Sequence, residues 1–193
     1  MELAPESAVA LIKHAWSGTN LYSDWNPGAG PDDREHWGEQ FAMLVDTVGA
    51  GLAALRARGL HAIIRGMIWH QGESDAKTEH AARYGENFRR FIDRVRQQFD
   101  APDLVFVYGY VLPPPNVGFG RDLVRDAQRQ VDQDSGSPLA VPGAHVVETD
   151  DLSLRANDPD TPYPNDIVHF GTAGILEMGR RMAEKMNDRL PKH

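Results

Sequence analysis

The sequence predicts an α/β domain whose parallel sheet is covered by helices on both faces. Short apolar runs alternate along the chain with longer segments of helical period. The runs are apolar throughout, the pattern of strands buried on both sides. Polar loops follow three of the four runs, at the strand ends where parallel sheets carry their functional groups.

Residues 8–15 (AVALIKHA) read as the first strand, and the Gly-, Pro-, Asn- and Ser-rich stretch 16–33 as a loop. Over 35–58, Trp37, Phe41, Leu44, Val45, Val48, Leu52 and Leu55 recur at helical spacing, and Gly59 is a natural stop. Residues 62–69 (AIIRGMIW) form the second strand and 70–78 a polar loop. The second helix, 79–99, gathers Tyr84, Phe88, Phe91, Ile92 and Val95 on one face. Residues 104–111 (LVFVYGYV) are the third strand, broken by Pro113, Pro114, Pro115 and Asn116. A helix over 122–134, a strand over 144–149, a long loop with three prolines over 150–168 and a closing helix over 171–190 complete the order.

At 193 residues the chain suits one domain with a real core. A net charge of −8 argues against nucleic-acid binding, which needs a basic face, and gives no support to docking on anionic membranes. No cysteine is present, so disulfides, thiolate metal sites and cysteine nucleophiles are excluded. No apolar run approaches the roughly 18 residues of a membrane span. Residues 1–7 lack the basic start and apolar core of a signal peptide. The compartment stays open.

Three loops carry candidate chemistry. Asp166 and His169 stand three apart before the last helix, as a general base and its orienting carboxylate would, or as a helix cap with a histidine nearby. In His70-Gln71-Gly72-Glu73-Ser74-Asp75, Gln71 is a candidate donor to a developing oxyanion, and Glu73 can position the loop or a neighbour. The alternative is a solvated turn. In Trp16-Ser17-Gly18-Thr19-Asn20, Gly18 lets its N–H approach a ligand closely. Ser17 is either a nucleophile or a turn residue, and it lacks the flanking glycines of a nucleophile elbow. His14 sits in a strand; His36, His61, His80, His145 and His193 are isolated. No histidine pair has metal-ligand spacing, so neither a structural metal nor a cofactor is predicted.

The stretches ALIKHAWSGTNL, MIWHQGESDA and NDIVHFGTAG together resemble the SGNH hydrolase superfamily, and within it the sialate O-acetylesterase-like group, carbohydrate esterase family 6. Gln128 and the helix segment 177–183 fit the same group. The resemblance implies a three-layer α/β/α sandwich with a parallel, flavodoxin-like sheet of five strands. It makes His169 and Asp166 the triad base and acid, and Gly18 and Gln71 the oxyanion donors. It implies metal-free removal of acetyl groups from sugars or polysaccharides by an attacking serine. The substrate would be a small-molecule or polysaccharide acetyl ester.

The chain departs from the family at two points, of which the smaller is Ser17-Gly18 where the family's second block usually reads Gly-Gly. The Gly-Gln-Ser-Asn block that carries the nucleophile after the family's first strand is absent. The expectation is a single domain over 1–193 that begins beyond that block, with Met1, Glu2 and Leu3 inside the helix leading to the second family strand. The missing strand is an interior one. Either the sheet closes over the gap, another chain lends a strand in an oligomer, or the gene product starts further upstream. Activity is then impaired in this chain. The competing reading is a non-catalytic carbohydrate-binding relative with Trp16, Trp25, Trp69 and Tyr163 as aromatic walls. A flavodoxin-like domain with an unrelated ligand lacks the phosphate loop that would support it.

Overall fold

The computed structural model describes residues 9–77 and 79–191. Among these, three parallel strands, β1 (Gly66–Trp69), β2 (Val105–Gly109) and β3 (Ala144–Val147), lie side by side in that order. The helices α1 (Glu39–Ala57), α2 (Tyr84–Gln98), α3 (Phe119–Val131) and α4 (Thr172–Arg189) alternate with them. Met67 pairs with Phe106, and Phe106 with Ala144.

β2 is buried along its whole length, as an all-apolar central strand should be. Phe106 and Tyr108 enter a core with Phe41 of α1, Phe88 and Phe91 of α2, and Val124 of α3. Val105 and Val107 face the other way, onto Met182 of α4 with Met178 and Met186 beside it. The three-layer α/β/α order follows from this alternation. The end of the Met186 side chain of α4 packs directly over Gly66: a Cβ there would lie 2.3 Å from Met186 Sδ, and that flexible side chain would have to shift. Gly59, at φ +75°, ends α1 as expected.

The expected strand over 8–15 is not formed. Ala8, like residues 1–3 and the helix proposed there, lies outside the described residues. Residues 9–15 carry no ladder, and Val9 and Leu11 are exposed. Their apolar character marks a tendency to be buried, but a strand exists only where a neighbour completes its hydrogen bonds. The segment is held by side chains instead: Ile12 packs over Gly51 of α1, and His14 Nε2 meets Gln40 Oε1 at 3.0 Å.

The two edges of the sheet differ. On β3 the outward groups are satisfied by the chain after α3: Gln133 N–H donates to the Ala144 carbonyl, and Val146 N–H to Asp132 Oδ2. On β1, Val105 N–H donates to the Arg65 carbonyl, and the register then turns Met67 and Trp69 toward β2. Gly66 and Ile68 present their main-chain groups outward without a partner among the described residues, and Ile68 is 51% exposed. The sheet therefore does not close over the gap.

Candidate active site

Asp166 and His169 occupy the turn that leads into α4. Asp166 Oδ1 accepts the N–H groups of Val168 (3.2 Å) and His169 (3.0 Å), and its carboxylate holds His169 Nδ1 at 2.9 Å. With Nδ1 against the carboxylate, a hydrogen on Nδ1 satisfies the contact and Nε2 makes no hydrogen bond among the described residues, on a ring 62% exposed. Burial pushes the Asp166 carboxyl up, but the hydrogen bonds from His169 and Val168 outweigh it and hold it below its ordinary 3.8.

This depressed value fixes a pH dependence. A carboxyl lowered on folding stabilises fully above its unfolded value, and that contribution is lost as the pH falls through the folded one. The urea midpoint of the chain is expected to fall on acidification below about pH 4. In Asp166→Asn that part of the slope is absent, which midpoints taken from about pH 5 to pH 3 will show.

Residues outside the sequence motifs hold the same turn. Arg155 N–H donates to the His169 carbonyl (2.8 Å), and Arg155 Nη1 lies 3.5 Å from Asp166 Oδ2. Asn116 Nδ2 donates to the Ile167 carbonyl at 2.7 Å, and Asp158 caps α4 by accepting Thr172 N–H at 2.9 Å. Asn116 had one sign in the sequence, a polar residue closing the proline break after β2. Arg155 and Asp158 lie in a loop without pattern.

The other two loops are tied to each other and reach this one. Gln71 is buried, and its Nε2 donates to the Thr19 carbonyl (3.1 Å) and to Asp75 Oδ2 (2.7 Å), so both amide hydrogens are engaged. Asp75 Oδ2 also accepts Leu21 N–H at 2.9 Å. Burial pushes the Asp75 carboxyl up against the pull of these bonds. Gly18, at φ +77°, forms an exposed turn whose N–H meets no acceptor among the described residues. Ser17 shares that turn, and no hydrogen bond among the described residues joins it to His169.

Glu73 Oε1 lies 3.4 Å from His70 Nε2, and the His70 ring packs 5.5 Å from that of Phe170, the neighbour of His169. Burial pushes the Glu73 carboxyl up, but the His70 hydrogen bond and the charges of His70 and His169 hold it below its ordinary value. Gly72 makes this loop possible. It sits at φ +150°, and a Cβ there would lie 2.9 Å from Val124 Cγ1 and 3.1 Å from Val111 Cγ2. Gly72→Ala is expected to cost about 1–3 kcal/mol in urea unfolding, through backbone strain and overpacking together.

Of the four aromatic walls expected, Trp25 and Trp69 are core residues, edge-to-face at 4.9 Å, and cannot line a cleft. Trp16 (62%) and Tyr163 (52%) are exposed. A groove of about 580 Å³ on the outer side of β3, lined by Arg129, His145, Arg181 and Lys185 among others, contains none of the predicted site residues. Asp33, Glu35 and His36 have ligand atoms close enough for a cation, but the three are surface groups, and Asp33 already accepts Ala29 N–H and pairs with His36.

A family model described as carbohydrate esterase, sialic acid-specific acetylesterase, matches residues 1–188. The chain belongs to that family. No curated protein matches it. This member of the carbohydrate esterase family is similar to a protein of Arabidopsis thaliana solved by X-ray diffraction at 1.6 Å, with 22% identity and a TM-score of 0.60. The match covers 85% of this chain and 58% of the plant protein, and it shows the shared α/β/α fold. No helix among the described residues of this family member is long and apolar enough to cross a membrane.

Proposed function

We propose that this chain carries the base, the acid and one oxyanion donor of a serine acetylesterase acting on O-acetylated sugars. The observation that carries the reading is the Asp166–His169 contact, with Nδ1 held at 2.9 Å and Nε2 left for a nucleophile. The serine enters on a parallel strand paired with the outer edge of β1, where Gly66 and Ile68 await a ladder. The carboxyl end of that strand lies at the same edge of the sheet as the three loops.

In that arrangement His169 Nε2 takes the serine proton as the oxygen attacks the acetyl carbon. The tetrahedral oxyanion is held by Gly18 N–H. On collapse, His169 returns the proton to the departing sugar hydroxyl, leaving acetyl-serine. Water, deprotonated by His169, then releases acetate. Asp166 keeps the tautomer and stabilises the imidazolium. Gln71 fixes the loop that bears Gly18 through the Thr19 carbonyl; direct donation to the oxyanion would require Nε2 to leave that bond. Glu73 positions His70 beside Phe170.

The test is acetate release from acetylated xylan after the chain is joined to, or mixed with, a strand ending in Gly-Gln-Ser-Asn. Turnover lost in His169→Ala supports the reading. A second reading, binding without hydrolysis, is favoured by the engagement of both Gln71 amide hydrogens. Ligand binding with no turnover after the serine strand is supplied would decide for it.

A further inference from the structure

We infer that Tyr163, backed by Arg155, is the stacking platform that seats the pyranose ring of the ester beside His169. The inference rests on the reading that sugar esters bind here, and it adds where the sugar lies.

The ring has one covered and one open side. Arg155 Cζ lies 4.5 Å from the Tyr163 ring centroid, while Tyr163 remains 52% exposed. An exposed aromatic face takes up the C–H face of a pyranose because that side of the sugar is apolar, whereas its rim is hydroxylated. Most exposed tyrosines are mobile and serve poorly in this role. This one is fixed. Pro162 and Pro164 flank it and restrict its backbone. Its N–H donates to Thr161 Oγ1 (3.1 Å), and its carbonyl accepts Asp166 N–H (3.0 Å).

The platform is also tied to the reacting base. Arg155 N–H bonds the His169 carbonyl at 2.8 Å, and its guanidinium reaches toward Asp166. One arginine thus spans the stacking ring, the triad acid and the main chain of the triad base. Its guanidinium covers one face of Tyr163 and leaves the other for the sugar. Trp16 is exposed as well, but no arginine backs its ring among the described residues.

The experiment is a calorimetric or saturation-transfer titration of the whole chain with methyl 4-O-acetyl-β-xylopyranoside, beside 2-hydroxyethyl acetate, which has the ester but no ring. The pyranoside is expected to bind and the acyclic ester to bind at least tenfold more weakly. Tyr163→Ala should weaken the pyranoside about tenfold or more, Arg155→Met several-fold, and Tyr163→Phe little, with unchanged circular dichroism. Equal binding of the pyranoside by the chain and by folded Tyr163→Ala overturns the platform and leaves the esterase reading standing. Binding of neither ester at millimolar concentration overturns both.

Discussion

Acetate release from p-nitrophenyl acetate by this chain is expected to be poor, no faster than free imidazole at the concentration of its histidines gives, with or without His169. A base accelerates only where a nucleophile lies within its reach, and no serine is bonded to His169 among the described residues. Supplying a Gly-Gln-Ser-Asn strand at the β1 edge should raise the rate by roughly 10³-fold or more. His169→Ala in that assembly should then return it to background, a loss of similar size.

The same assay separates the alternatives. Turnover by the unassisted 193-residue chain, abolished by His169→Ala, would place the nucleophile within it. Ser17→Ala would then show whether that serine serves. An intermediate test reads the edge alone. A lysine at Ile68, half exposed now, should leave the chain folded but block strand addition. The serine strand would then restore nothing.

The parts of this fold that could be read from the sequence are those whose logic is local. β2 is apolar over its length because both faces are covered, and that shows in consecutive letters. Asp166 and His169 pair because they stand three positions apart in one turn. The misread segment, 9–15, is apolar for the same reason as β2, yet its strand character depends on a neighbour that local pattern cannot supply. Trp69 and Ile68 are adjacent apolar residues, but the pleat sends one into the core and the other to the surface. The engagement of Gln71 spans 52 positions to Thr19, and Asn116 reaches 51 to Ile167. No window of the sequence contains those pairs, so the scaffold of the site emerges only in three dimensions.

Gln128→Leu is expected to be the most damaging single change to the scaffold, because it removes a buried side chain that bonds both the Gly109 carbonyl and the Val111 N–H at the end of β2. Gln128 is fully buried in α3. Its Oε1 accepts Val111 N–H (3.2 Å), and its Nε2 donates to the Gly109 carbonyl (3.3 Å) and approaches the Gln71 carbonyl (3.5 Å). Leucine fills similar space but leaves a buried N–H and a buried carbonyl unsatisfied, at about 1–3 kcal/mol each. The sum, about 2–4 kcal/mol after relaxation, is a large share of a domain stability of about 5–15 kcal/mol. Urea unfolding of Gln128→Leu should show a lower midpoint with an unchanged slope. Gln128→Glu separates packing from hydrogen bonding: it keeps an acceptor for Val111 N–H and turns an oxygen toward Gly109 and Gln71, so its loss should grow as pH rises through the carboxyl's own titration. The effect should reach the site, because the Gln71 carbonyl would then keep only the hydroxyl of Tyr84, which donates to it at 2.6 Å, of the two side chains that meet it among the described residues. Amide exchange in residues 70–75 should therefore quicken more in Gln128→Leu than in α4, which Gln128 does not touch; equal protection in both would remove it from the support of the loop.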